Sequence, residues 1–216
     1  MGKHSRLAVM VIAALTLSGV AAVANEKDKD GHAHAHADAS VAKGYFDDDQ
    51  IRPRGLTDWQ GDWQSVYPLL VDGSLDEVMD HKAEQGDKTA QEYRAYYDAG
   101  YKTDVDRIVI DGDGVISFFT EADEVSARYA PDGHEILTYA KGNRGVRFIF
   151  EKAEGDDAAP DFIQFSDHII APQKSGHFHL YWGDDRAGLL EELSNWPTYY
   201  PAGLDGEQIA HEMTAH

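Results

Sequence analysis

From residue 105 to residue 151 the chain reads VDRIVIDGDGVISFFTEADEVSARYAPDGHEILTYAKGNRGVRFIFE. Short runs rich in β-branched and aromatic residues, Arg107 to Ile110, Val115 to Thr120, Val125 to Tyr129, Glu135 to Tyr139 and Val146 to Glu151, recur along it. Between them stand Asp111-Gly-Asp-Gly114, Pro131-Asp-Gly133 and Lys141-Gly-Asn-Arg-Gly145, whose Gly, Asp and Asn tolerate the positive φ of tight hairpins. Phe162 to Ile169 and His177 to Trp182 continue the pattern. Six or seven strands at this spacing predict a mainly β protein, an antiparallel meander that closes into a barrel or packs as a sandwich.

Helical patterns flank this region. Upstream, Trp59, Trp63 and Tyr67 stand at helical spacing, and Ser74 precedes Leu75-Asp-Glu-Val-Met79 like an N-cap followed by first-turn carboxylates. A second helix is expected from Thr89 through Tyr97, with Tyr93, Tyr96 and Tyr97 on one face. Downstream, Leu189, Leu190 and Leu193 suggest a helix, Trp196-Pro-Thr-Tyr-Tyr-Pro201 a rigid break, and Gly206 to Met213 a last helix.

Before all of these, Lys3 and Arg6 precede an apolar run from Leu7 to Val23 that ends in Ala22-Val-Ala24. This is the composition of a secretory signal peptide, residues 1–24, with a retained membrane anchor as the weaker reading, and it predicts export with no membrane insertion after processing. Residues 25–43 are polar and Ala-rich and read as a flexible tail, leaving 44–216 as a single domain. Removal of 1–24 leaves 17 basic residues against 39 acidic ones, a formal charge of −22. Such a surface repels nucleic acid and anionic lipid and gathers cations. Cysteine is absent, so no disulfide staples the fold, and a transition metal must be met by His, Asp, Glu, carbonyl or water.

The segment Asp167-His-Ile-Ile-Ala-Pro-Gln-Lys-Ser-Gly-His-Phe-His179 carries the chemistry. Alternating strand residues share a face, so His177 and His179 project together about 7 Å apart. The loop from Ile169 to Gly176 is short enough to fold His168, at the end of the preceding strand, back beside them. His168, His177 and His179 can then converge on one rim of the barrel around a tetrahedral Zn(II), with one position open to water or a further ligand. Ni(II) and Cu(II) also suit such a donor set. Asp167 points to the opposite face and reads as a strand-end carboxylate. A secondary cluster, His32, His34 and His36 in the tail, admits three readings: a second loading site, a swinging arm that fills the open position, or an inert solubilising tract. His81, His134, His211 and His216 lack mutual spacing and read as surface residues.

The blocks Asp58 to Leu70, Ile163 to Pro172, Lys174 to His179 and Asn195 to Pro201 resemble the ZinT (YodA) family of periplasmic zinc- and cadmium-binding proteins over nearly the whole mature chain. The resemblance implies a lipocalin-like (calycin) barrel with added helices and a metal held by His168, His177 and His179. It also implies zinc scavenging under scarcity, with delivery to the zinc-binding subunit of an ABC importer. Family members carry a cysteine pair on neighbouring strands, and Ala127 and Lys152 or its neighbour stand at those positions here.

Three functions are compatible with the residues. The first is a non-enzymatic buffer or chaperone for Zn(II). The second is a zinc-dependent hydrolase or hydratase that uses the open fourth position, although no motif nominates its acid or base. The third is a carrier of an organic ligand inside the barrel, lined by Tyr129, Tyr139, Phe148, Phe150 and Phe165.

Overall fold

The computed structural model describes residues 40–215 except residue 192. The segment assigned above to a signal peptide, most of the tail with His32, His34 and His36, and His216 lie outside the described residues. Ser40 to Lys43, within the stretch read as tail, form a helical turn, and Val41 packs against the barrel core.

Eight antiparallel strands form a closed barrel in chain order: β1 (Gly61–Ser65), β2 (Arg107–Ile110), β3 (Val115–Phe119), β4 (Glu124–Thr138), β5 (Arg144–Gly155), β6 (Phe162–Ser166), β7 (Phe178–Gly183) and β8 (Thr198–Pro201). The barrel expectation therefore holds and the sandwich does not. Closure comes from β1 against β8, with Trp63 opposite Pro201 and Ser65 opposite Tyr199. One face of each strand fills the interior, among them Trp63, Ile108, Phe118, Phe148, Phe165, Phe178 and Tyr199. Trp59 reaches in from the 3-10 turn before β1 and stacks on Phe165 at 4.5 Å between ring centres. Tyr129, Phe148, Phe150 and Phe165, suggested above as cavity lining, are buried core, whereas Tyr139 is half-buried at the barrel end.

Four local readings are corrected. Trp59, Trp63 and Tyr67 do not share a helix: Trp63 lies on β1, because alternation buries it and Ser65 while Gln64 faces outward to the carbonyls of Pro201 and Leu204. Pro131-Asp-Gly133 is no hairpin; it is a bulge within the fifteen-residue β4, where Gly133 takes φ +81° and pairing with β5 shifts register between Pro131 and His134. The rigid break at 196–201 contains β8. Only Gly188–Leu190 of the expected helix near Leu189 is helical, as a 3-10 turn.

Four α-helices form a layer outside the barrel: α1 (Tyr67–Val71), α2 (Asp76–Gln85), α3 (Ala90–Tyr101) and α4 (Gly206–Thr214). Leu75 rather than Ser74 occupies the N-cap position of α2. Capping boxes start α3, through Thr89 and Glu92, and α4, through Asp205 and Gln208. Their apolar faces, with Val78, Met79, Ile209 and Met213, enclose a second core that includes Tyr200 from the outer side of β8. Ala127 is paired with Gly155 and Lys152 with Tyr129, so Ala127 and Lys152 do not face each other.

Candidate metal centre

β6 ends at Ser166 and β7 begins at Phe178, and the chain between them carries His168 and His177. Because Phe178 and Leu180 point into the core, His177 and His179 share the outward face, where Ser166 stands opposite His179. The three rings meet at the rim on the outer side of the wall. Their centres are 6.5 Å apart for His168 and His177, 5.8 Å for His168 and His179, and 6.3 Å for His177 and His179.

Each ring is placed by a separate device. His177 stacks on Tyr200 at 4.9 Å with an 8° interplanar angle, at the seam with the helical layer. The Nδ1 of His179 lies 2.7 Å from the hydroxyl of buried Thr198. That hydroxyl donates its single proton to the carbonyl of Trp196 at 2.9 Å, so it accepts from Nδ1–H. The tautomer is thereby fixed with Nε2 as the lone-pair nitrogen, the form in which an outer partner orients a metal ligand. Burial, reinforced by the neighbouring His168 and His177 and by the Arg147 charge, holds the His179 imidazole well below its usual range, hence neutral.

His168 adopts φ +63°, a left-handed conformation that costs a residue with a Cβ about 1 kcal/mol or more. What holds it there is next to it in sequence. Asp167, the residue read as a strand-end carboxylate, is buried and accepts from Arg54 Nη1 at 2.6 Å, from the indole of Trp59 at 3.0 Å and from the amide of Ile169 at 3.2 Å. Arg54 lies over the Trp59 ring at 4.0 Å and also reaches Asp58 and the carbonyls of Ile169 and Gln173. One guanidinium thus ties the start of the loop that carries His168 to its middle.

Among the described residues no group of three or more His, Cys, Asp or Glu stands ready-formed around an ion. The spacings give the reason: with metal–nitrogen bonds of about 2.0–2.1 Å at tetrahedral angles, ring centres would be roughly 5 Å apart, and the triangle is wider by about 1 Å. Three imidazoles with one fixed tautomer are a donor set suited to a borderline divalent ion. His81, His134 and His211 stand away from this cluster, His81 beside Gln85 and His134 against Phe148. Thr198, Tyr200 and Arg54 were not singled out by the sequence. The first two lie in the Asn195 to Pro201 block that carries the resemblance, whereas no pattern marked Arg54.

A closed eight-strand antiparallel barrel with a helical layer and a histidine cluster at its rim defines a lipocalin-like protein with a polar site outside the barrel interior. The chain belongs to the ZinT (YodA) family, described as periplasmic, lipocalin-like and zinc-recruiting, whose pattern matches residues 37–216. It is 58% identical over 177 residues to the probable metal-binding protein YrpE of Bacillus subtilis, covering 82% of this chain and 70% of that one. It is 51% identical over 181 residues to the zinc-binding protein AdcA of Streptococcus pyogenes, again over 82% of this chain. The chain spans only 35% of that relative's length. Among solved structures, the Zn(II)-bound ZinT-like domain of Streptococcus pneumoniae AdcA matches with a TM-score of 0.78 at 48% identity, over 81% of this chain and 97% of that domain.

Proposed function

We propose that this protein is a non-enzymatic binder of Zn(II), with Cd(II) as a second ion, that scavenges or buffers the metal through His168, His177 and His179. The observation that carries the reading is the convergence of three imidazoles, one with its tautomer set by Thr198. Zinc-binding relatives and a Zn(II)-bound homologous domain support the same ion. Three neutral ligands and one exchangeable position suit a cargo that must be taken up and given away. The carboxylate nearest in sequence, Asp167, is engaged by Arg54 and Trp59, which speaks against a general base there and for the non-enzymatic reading.

Residues 1–24 have the composition of an export signal, which supports a periplasmic location. In AdcA, a zinc-binding protein, a domain of this kind is part of a much longer chain. That setting, with the family resemblance, supports delivery of the ion to a zinc-binding partner, the binding subunit of an ABC importer.

Competition titration with a chromophoric zinc chelator tests the assignment. One equivalent of zinc should bind at the barrel rim, and His177→Ala or His179→Ala should weaken binding by about a hundredfold or more, since several ligands share a binding free energy of roughly 10–16 kcal/mol. Unchanged affinity in both variants would remove these residues from the site.

A further inference from the structure

Arg147 on β5 is 2% exposed, yet Nε and Nη1 of its guanidinium have no hydrogen-bond acceptor. The hydroxyl of Tyr139 is its side-chain hydrogen-bond partner, and its guanidinium carbon lies 3.2 Å from the centre of the Tyr181 ring. Glu135 stands opposite Arg147 across β4 and β5, but its carboxylate is taken by Arg186 at 3.2 Å. Arg147 therefore forms no ion pair among the described residues. A guanidinium keeps its proton at neutral pH, so this is a lasting buried cation. Burying a cation without a counter-charge is costly, and stacking on one tyrosine offsets only part of that cost.

Strand register places this charge beside the three rings. Phe148 pairs with Phe165 and Ser166 with His179, so Arg147, Ser166 and His179 form one row on the outward face of β5, β6 and β7. The Arg147 side chain crosses β6 to reach Tyr181, which follows His179 by two residues on the same face of β7. Residues two apart on a strand are separated by about 7 Å, so an ion on His179 would lie within roughly 7–10 Å of the guanidinium. The charge is felt there already, as one of the causes that keep the His179 imidazole neutral.

We propose that Arg147 is an electrostatic brake on the metal centre: its buried charge opposes the bound divalent ion, so that His168, His177 and His179 hold zinc less tightly, and release it faster, than the same ligands would without it. The inference rests on the metal reading above and names the residue that sets how firmly the ion is held. Salt screens an exposed cation but acts far less on a buried one. At this separation the repulsion between one charge and two amounts to about tenfold in affinity or more, even at an effective dielectric well above that of a dry interior. A side chain that served packing alone would act in the opposite direction, since its loss would loosen His179 and weaken binding.

Chelator competition for affinity, and stopped-flow transfer of zinc to excess chelator for release, test this at physiological salt. Arg147→Met and Arg147→Gln differ in shape and polarity but remove the same charge. Each should tighten zinc binding by about tenfold or more and slow its release by a similar factor. If one of the two does not fold, the other carries the same expectation. Arg128→Met, which removes an exposed cation paired with Glu154, should change neither quantity by more than about twofold. His177→Ala is measured alongside: zinc bound as tightly as by the parent would remove the metal reading, and this inference with it. If His177→Ala weakens binding while the neutral Arg147 variants bind zinc no more tightly than the parent, the metal reading stands and the brake is overturned.

Discussion

Replacing Arg54 by methionine keeps most of the side-chain length and removes the charge from a site where both Arg54 and Asp167 are fully inaccessible. The carboxylate of Asp167 would keep only the Trp59 indole and the Ile169 amide as donors. Stranding one member of a buried pair costs about 3–5 kcal/mol, a large share of a total stability of roughly 5–15 kcal/mol. The carbonyls of Ile169 and Gln173 lose their donor as well. Denaturant unfolding of the metal-free protein, followed by the fluorescence of buried Trp59 and Trp63, should show this as a lower midpoint at unchanged slope. The double variant Arg54→Met/Asp167→Leu removes both charges and should recover part of the loss, not all of it, because the two carbonyls remain without a partner. A single-variant loss under about 1 kcal/mol, or full recovery in the double variant, would refute the account of Arg54 as the tie for the His168 loop.

Thr198→Val removes the acceptor for His179 Nδ1–H and should lower zinc affinity by about tenfold or more, with Thr198→Ser restoring it in the same chelator competition. The depressed pKa of His179 means that, between that value and about 6.5, the unfolded chain binds more protons than the folded one, so stability falls as pH drops below about 6.5. Urea midpoints of the metal-free protein at pH 7.5 and 5.5 should therefore diverge less in His179→Gln than in the parent; an equal divergence assigns the pH dependence to other groups. Gly100→Ala places a Cβ 2.3 Å from Cζ2 of Trp196 and should destabilise by about 1–3 kcal/mol, read as a lower melting temperature.

β2 and β3, with period-two burial, and β5, a continuous buried run that follows a glycine-bearing turn, were legible because these patterns and the turn chemistry are local. The strands that close the barrel were not. β1 is five residues whose one aromatic, Trp63, falls as readily on a helical period with Trp59 and Tyr67, and β8 is four residues that follow Pro197 and end on Pro201; both depend on pairing with each other across the chain. Pro131-Asp-Gly133 carried a hairpin signal that the long pairing of β4 with β5 overrides by absorbing the extra residues as a bulge. At the site, strand parity brought His177 and His179 together, and loop length brought His168. The residues that hold the rings in place act over more than a hundred positions in the case of Arg54 and Asp167, a relation that spacing does not encode. Parity also fixed which side of the wall the rings occupy, once the core residues of β7 were known.

Pairing of the first strand with the last has a kinetic consequence. The edge of β1 waits for its partner until β8, the last strand of the barrel, has been made, and loop closure over that distance is entropically slow. The same final strand delivers Thr198, on which the orientation of His179 depends. A half-finished chain therefore lacks the hydroxyl that orients His179, and the arrangement of the three rings is complete only once β8 has docked.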